Sequence, residues 1–255
     1  SLTHHCMLGP DQQSTRLALA DELLQTASRT GRVGDLMMGL LWRACDQFLA
    51  ADPHAERAFA ELCGALDRNP NEAIGFVRDA IAVMRTIRSG QLTEAEKLAA
   101  ACAEAGRRAG DVDADIWLGA HVTTIRWFQG RIAELADELT GIVDSPMLSV
   151  SDHAHVAALA TAAAYAGDRA LAESALTRVR GRHLSELPRS GSWLVTMNGV
   201  IEAASVLGDA STAAEAYDLL QPFARLPLMA SLAVTCFGSV HHALGVAAFT
   251  MGRFD

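Results

Sequence analysis

Hydrophobic positions recur at helical spacing along most of the chain. After Gly167, for example, Ala172, Leu176 and Val179 fall on one face of a helix. The apolar residues are mostly alanine and leucine, and only 5% of the chain is aromatic. This composition favours helix over strand. We therefore predict an all-α protein with almost no sheet.

The helical segments form a repeat in which an apolar helix, a glycine, a polar residue and a second helix follow one another. A glycine directly after a helix can adopt the left-handed conformation that ends it, and Thr93, Asp168 and Asp209 are placed to cap or charge-stabilise the next helix. The turn glycines lie 37 to 44 residues apart, at Gly90, Gly130, Gly167, Gly208 and Gly252, and Ala51-Asp52-Pro53 replaces the glycine in one further turn.

The position five residues after each glycine is small or apolar, which lets two helices cross closely behind a short turn. These positions are Ala95, Leu135, Ala172 and Ala213. The period predicts stacked antiparallel helical hairpins. We place half a hairpin at 1–30, whole hairpins at 33–68, 71–109, 113–144, 150–181 and 191–224, and half a hairpin at 231–255, whose helix spans 231–250.

A stack of this kind buries each hairpin only against its neighbours, so we predict a single helical-repeat domain with a concave face lined by the first helix of each hairpin. The predicted last helix carries Val234, Phe237, Val240, Leu244 and Phe249 without a second helix to cover them. We therefore expect the array to continue, with Phe254 beginning the next helix, and the chain to be a fragment of a larger protein.

The segment LGVAAFTMGRFD resembles the tetratricopeptide consensus at Leu244, Gly245, Ala247, Gly252 and Phe254. The other hairpins keep only the turn glycine and the small residue that follows it. This resemblance implies a right-handed α–α superhelix of helical hairpins.

A second resemblance covers nearly the whole chain. MLGPDQQSTRLALADELL, GQLTEAEKLAAACAEAGRRAGDVDA, LPRSGSWLVTMNGVIEAASVLGDASTAAEAYDLLQPFA and CFGSVHHALGVAAFTMGRFD resemble the helical-repeat region of large actinobacterial regulators. In those proteins an ATPase of the STAND type accompanies the repeats, with a LuxR-type DNA-binding, transcriptional-activator or nucleotide-cyclase domain. The resemblance implies a non-catalytic scaffold that binds a protein or peptide partner or a small-molecule inducer and contacts the other domains of its parent chain.

Charge and composition narrow the partners further. The formal net charge is -9 and the basic residues are scattered, so we expect no direct contact with nucleic acid. No apolar stretch approaches the length of a membrane span and no signal peptide is evident. The five cysteines are widely spaced and form no C-x-x-C pair, which fits a reducing cytoplasm.

Several residues that suggest chemistry do not converge. His4-His5-Cys6, His153-x-His155 and His241-His242 are neighbours in sequence, and side chains at such spacings point to different sides of a helix. No G-x-x-x-x-G-K-[ST] or G-x-S-x-G motif occurs, and the carboxylate pairs Asp113/Asp115 and Glu94/Glu96 suit helix N-termini. We expect no catalytic residue, no bound metal and no cofactor.

The concave face carries the binding hypothesis. Counted back from each turn glycine on a tetratricopeptide template, the groove positions hold aromatic and hydrogen-bonding side chains, which suit capture of a peptide or small ligand. Each of them singly is also explained by packing between hairpins. As a set they are Trp117, Thr124, Trp127, Phe128, Thr161, Tyr165, Asn198, Glu202 and His242.

Two alternatives stay open. In the first, the chain is a structural spacer or self-association module whose end helices pair with a second copy, giving a homodimer. An enzyme would require a cluster of acid and base groups on the concave face that the sequence does not show. The loop at 185–192 interrupts the period and is explained as a surface loop or as a contact with another domain.

Overall fold

The computed structural model describes residues 2–145 and 153–253, and nearly all of its elements are helices. The helices are α1 (Leu2–His5), α2 (Gln13–Thr30), α3 (Val33–Leu49), α4 (Ala55–Arg68), α5 (Glu72–Arg88), α6 (Leu92–Ala109), α7 (Ala114–Phe128), α8 (Ala136–Val143), α9 (His153–Ala166), α10 (Arg169–Arg180), α11 (Trp193–Leu207), α12 (Ala210–Leu220) and α13 (Val240–Thr250). Short 3₁₀ segments lie at Pro10–Gln12, Ile132–Leu135, Leu184–Glu186 and Gln221–Phe223. The fold is all-α, as predicted; the right-handed sense of a superhelix stays a prediction.

The helix bounds follow the predicted hairpins closely. Consecutive helices pack as α3 on α4, α5 on α6, α9 on α10 and α11 on α12. The second helix of the third hairpin is shorter than predicted, because Ile132–Leu135 forms a 3₁₀ turn before α8 begins. The predicted start of the fourth hairpin at residue 150, and Phe254, lie outside the described residues.

The turns have the predicted geometry. The five turn glycines all have positive φ angles, between 68° and 82°, and Ala51 takes the same left-handed conformation at 54° where the glycine is missing. The side chains of Asp168 and Asp209 accept hydrogen bonds from the N–H groups of Leu171 and Thr212 and so cap α10 and α12. Thr93 lies inside α6 and does not cap it.

The predicted helix over 231–250 is wrong in its first part. Strands β1 (Pro227–Ala230) and β2 (Thr235–Ser239) form a hairpin there, and a helix begins only at Val240. Ser231 and Ala233 adopt left-handed φ angles of 53° and 61°, which a continuous helix excludes. The apolar side chains at 234, 240 and 244 are buried, whereas Phe249 is exposed.

The loop at 185–192 packs on its surroundings. The Arg189 guanidinium lies 5.4 Å from the ring centres of both Trp193 and Phe223. The N–H of Leu184, just before the loop, donates to the Glu215 carboxylate at 2.7 Å. These contacts give the long connection a fixed course along α11 and α12.

The helices group into two compact units. Unit 1 comprises 1–125 and 229–236, and unit 2 comprises 126–228 and 237–255. The core of unit 1 is built mainly from α3 to α7, with contributions from Ala20 and the segment 229–236, and contains large side chains such as Phe48, Phe76 and Met84. The core of unit 2 is richer in alanine, with Ala160, Ala163 and Ala204 fully buried. Among the described residues no helix is both long and apolar enough to cross a membrane.

A buried ionic cluster joins the first residues of unit 1 to α3. Asp46 is completely buried and accepts a hydrogen bond from Arg16 Nε at 2.8 Å, while His4 Nε2 lies 2.6 Å from its other oxygen. Arg16 Nη1 also donates to the carbonyl oxygens of Met7 and Gly9. The His4 ring stacks on Trp42, with ring centres 4.3 Å apart. A buried charge of this kind is tolerated only when its partners are all in place.

We predict that Asp46→Asn lowers the free energy of unfolding by about 3 kcal/mol, because Arg16 then lies buried without a counter-charge. Urea-induced unfolding followed by circular dichroism measures the loss. The control is Asp35→Asn, whose carboxylate makes an exposed contact with Arg32 at 3.7 Å; this variant should unfold as the unmodified chain does. Equal losses in the two variants would show that the cluster does not stabilise unit 1.

Candidate functional site

A pocket of about 440 Å³ lies within unit 2. Its walls come from the last turn of α7 and the residues after it, from α9, from β2 and from α13. Four aromatic rings and one imidazole dominate the lining. The lining residues are Trp127, Phe128, Gly130, Ile132, Tyr165, Phe237, Gly238 and His242.

The pocket depends on an unusually close contact between α9 and α11. A Cβ atom placed on Gly199 would lie 3.1 Å from both the Cβ and the carbonyl oxygen of Ala157, so an alanine here would force the two helices apart by a few tenths of an ångström. The Thr161 hydroxyl lies 3.0 Å from the carbonyl oxygens of both Ala157 and Gly199, which share its single hydrogen. The two helices are thereby fixed side by side along their buried faces.

One helical turn further along, the same pair of helices brings two functional side chains together. Tyr165 on α9 donates its hydroxyl hydrogen to Glu202 Oε2 on α11 at 3.2 Å. Thr161 and Tyr165 are four residues apart and Gly199 and Glu202 three, so each pair lies on one helix face. The backbone contact therefore determines where this hydrogen bond forms.

Glu202 is a buried carboxylate directly behind the pocket wall, with only 4% of its surface exposed. Its Oε1 atom has no hydrogen-bond partner among the described residues and lies 4.0 Å from His242 Nε2. Burial raises the pKa of Glu202 above its ordinary value of 4.5, and the Tyr165 hydroxyl and His242 oppose this rise. Burial, together with the nearby carboxylate, raises the pKa of Tyr165 to about 12.

The aromatic walls meet at an angle. The rings of Trp127 and Tyr165 are nearly perpendicular, at 87°, with centres 5.9 Å apart. Phe128 is 45% exposed and Tyr165 48% exposed, so both rings are accessible to a ligand. An accessible aromatic surface beside a buried polar group is typical of small-molecule sites.

The structure brings together most of the residues that the sequence placed on the concave face. Trp127, Phe128, Tyr165 and His242 line the pocket, and Glu202 bonds to its wall. Thr161 and Asn198 are buried, on α9 and α11 respectively.

The two remaining predicted residues lie in unit 1 and do not line the pocket. The Trp117 ring stacks on Phe76 in the core, with centres 4.7 Å apart and an angle of 13° between the planes. The Thr124 hydroxyl is buried and donates to the Ala120 carbonyl oxygen. Packing between helices accounts for both side chains.

The sequence reasoning missed Phe237 and Gly238, which form the β2 side of the pocket. It assigned them to a helix, and at helical spacing Phe237 falls on the same face as Val234 and Val240. The available signal was the sequence VTCFGS, in which β-branched and aromatic residues precede a glycine.

Outside the pocket, the buried cysteines and the possible metal ligands of the described residues are the other candidates for chemistry. Burial raises the pKa of the Cys45 thiol far above its ordinary value and that of the Cys102 thiol to about 12, so both stay protonated. Within the described part of the chain no three His, Cys, Asp or Glu side chains gather at a spacing that would hold a metal ion.

Comparison with known proteins gives no relative on which to base a function. No protein-family model, no curated protein and no solved structure matches the chain. The assignment of function therefore rests on the pocket itself.

The helix contact generates one prediction. Gly199→Ala should lower the free energy of unfolding by about 1–3 kcal/mol, because the new methyl group meets the Ala157 backbone. The matched control is Gly245→Ala on α13, where nothing lies within 4 Å of the added Cβ; that substitution should leave stability unchanged or raise it by up to about 1 kcal/mol. Urea unfolding of both variants measures the effects, and a loss of the same size in both would contradict the close contact.

The buried carboxylate generates another prediction. The pKa of Glu202 is higher in the folded chain than in the unfolded chain. Its contribution to stability is therefore present at low pH, where the carboxyl is protonated, and is lost as the pH rises through the raised pKa of the folded chain. Glu202→Gln removes the charge and keeps an acceptor for the Tyr165 hydroxyl. We expect the variant to melt at or above the temperature of the unmodified chain at about pH 7.5, with the difference shrinking towards about pH 4.5.

The control for this measurement is Glu173→Gln, which removes an exposed carboxylate that pairs with Arg169 on α10. It should not melt at a higher temperature than the unmodified chain at either pH. A Glu202→Gln variant that melts well below the unmodified chain at neutral pH would show that the carboxylate stabilises the fold rather than straining it.

Proposed function

We propose that this chain is a non-catalytic, ligand-binding helical-repeat region of a multidomain bacterial transcriptional regulator of LuxR type. The observation that carries the binding role is the pocket of unit 2, where aromatic side chains from separate elements meet and one of them, Tyr165, bonds to a buried carboxylate. Its placement in a larger cytoplasmic regulator, beside an ATPase and a DNA-binding domain, rests on the resemblance of the sequence to such repeat regions.

The size of the pocket supports a small molecule over a protein or peptide partner. Its volume of about 440 Å³ falls in the range of sites that enclose most of a small ligand. A peptide would need an extended groove, whereas the described lining residues form one compact pocket. We therefore favour an inducer of low molecular weight.

Binding rather than catalysis is the role that the lining supports. Among the described residues that line the pocket, the groups able to exchange protons are Tyr165 and His242. A phenol with a pKa of about 12 is a poor general base at neutral pH. The described part of the lining holds no serine, cysteine or lysine that could serve as a nucleophile beside them.

A ligand in the pocket would contact several secondary-structure elements at once, which gives a route for signal transmission. The pocket takes side chains from α9, β2 and α13, so a ligand that fills it favours one arrangement of these elements over others. A ligand shifts such an equilibrium only by its difference in affinity for the two arrangements. In the proposed regulator this difference is what the ATPase and the output domain sense.

A thermal-shift screen of the purified chain against metabolites and short peptides tests the binding role. We expect at least one small molecule to raise the melting temperature, and we expect Trp127→Ala and Phe128→Ala to abolish the shift because both remove a wall. Phe128 is 45% exposed, so its removal leaves the core intact. Val206→Ala, an exposed position on α11 outside the pocket, is the matched control and should keep the shift.

A chain that responds to no small molecule, or wall variants that respond as the unmodified chain does, would count against the pocket. The alternative, self-association, has the exposed side chain of Phe249 in its favour. It would be supported by association that depends on chain concentration and that the wall variants leave unchanged.

A further inference from the structure

We infer that the pocket of unit 2 selects a compact organic cation, a protonated or quaternary amine, through its aromatic walls and the carboxylate behind them. This inference rests on the proposed binding function and adds the chemical class of the ligand. It follows from three features of the described residues: the direction of one hydrogen bond, the charges around the pocket and the arrangement of the rings.

The first feature is the hydrogen bond in which Tyr165 already uses its hydroxyl hydrogen. Tyr165 donates it to Glu202 Oε2 at 3.2 Å, so only the lone pairs of the phenol oxygen are left for a ligand. A ligand that meets Tyr165 therefore has to donate a hydrogen bond or carry positive charge. This polarity suits an ammonium group and disfavours a carboxylate or phosphate.

The second feature is the balance of charge. Glu202 is 4% exposed, and among the described residues its one ion-pair contact is His242, at 4.0 Å. Its Oε1 atom is buried without a hydrogen bond from any described residue. None of the described residues that line the pocket is an arginine or lysine, so none of them offers an anion a fixed positive charge, whereas a cation supplies the charge that the buried carboxylate lacks.

The third feature is the set of rings. Trp127 and Tyr165 stand at 87° to each other with centres 5.9 Å apart, and Phe128 and Phe237 complete the aromatic lining. The face of an aromatic ring attracts a cation, most strongly for tryptophan and more so where water is excluded. Several rings around one site, with a carboxylate nearby, favour a cation over an uncharged molecule of the same shape.

Neutral ligands fit this set of features less well. An uncharged apolar molecule would gain binding free energy from contact with the rings. It would also cover the pocket and move the charge of Glu202 further from water, which is unfavourable for an unpaired charge. A ligand that is cationic and carries a small apolar part uses both the rings and the charge. The net charge of -9 adds a long-range attraction for cations.

Pairs of charged and uncharged probes of equal shape test the inference on the full chain. Choline is compared with 3,3-dimethyl-1-butanol, in which a carbon replaces the quaternary nitrogen, and butylammonium is compared with 1-butanol. Isothermal titration calorimetry, with the indole signals in NMR spectra as a second readout, measures each affinity. We expect at least one cation to bind about tenfold or more tightly than its uncharged counterpart.

Two variants locate the source of this preference. Glu202→Gln should weaken binding of the preferred cation about tenfold or more and leave the uncharged probe unchanged. The matched control is Glu173→Gln, which removes an equal charge from the surface of the same unit and should leave both affinities as they are. Circular dichroism confirms that each variant is folded.

Several outcomes would overturn the inference. These are equal affinities for both members of each pair, failure of both cations to bind at millimolar concentration, or unchanged cation binding in Glu202→Gln. If an uncharged ligand from the screen binds and Trp127→Ala abolishes that binding, the cation inference fails while the proposed binding function stands. If no probe and no screened molecule binds, both fail.

Discussion

The close approach of α9 and α11 is the constraint on which the pocket depends. Two helices can lie this near each other only where their facing residues are small. Here a Cβ atom added to Gly199 would lie only 3.1 Å from Ala157. The Thr161 hydroxyl then reaches across to a backbone carbonyl of the other helix. The alanine-rich sequence of α9 is therefore more than a helix-forming composition, because it sets the distance between neighbouring hairpins.

This distance determines the chemistry of the site one turn away. It brings the Tyr165 hydroxyl to the Glu202 carboxylate and leaves that carboxylate buried with its second oxygen near His242. Burial raises the pKa of Glu202, which means that the ionised form costs the fold some stability. A buried charge that strains the fold and lies behind an accessible aromatic wall is what we expect of a residue that a ligand completes.

The sequence predicted the helical repeat well because the repeat depends on short-range sequence features. A glycine past each first helix, an aspartate that caps the next one and a small residue five positions after the glycine are all short-range features, and Gly167, Asp168 and Ala172 behave as predicted. The β hairpin was missed because its residues also match a helical period. What distinguishes it is the left-handed backbone at Ser231 and Ala233, which neither side chain requires.

The site was predictable only in part. Counting back from the turn glycines gave Tyr165, Glu202 and His242, which lie two, six and ten residues before Gly167, Gly208 and Gly252, because the concave-face positions of successive first helices lie side by side. The same count gave Trp117, which lies in the core of unit 1 against Phe76, and no local signal separates a wall tryptophan from a core one. A crystal structure of the chain grown with the more tightly bound of choline and butylammonium tests the account most directly. It should show the nitrogen in the pocket, within about 6 Å of the ring centres of Trp127 and Tyr165; a cation bound elsewhere, or a pocket that holds neither cation, would contradict the account.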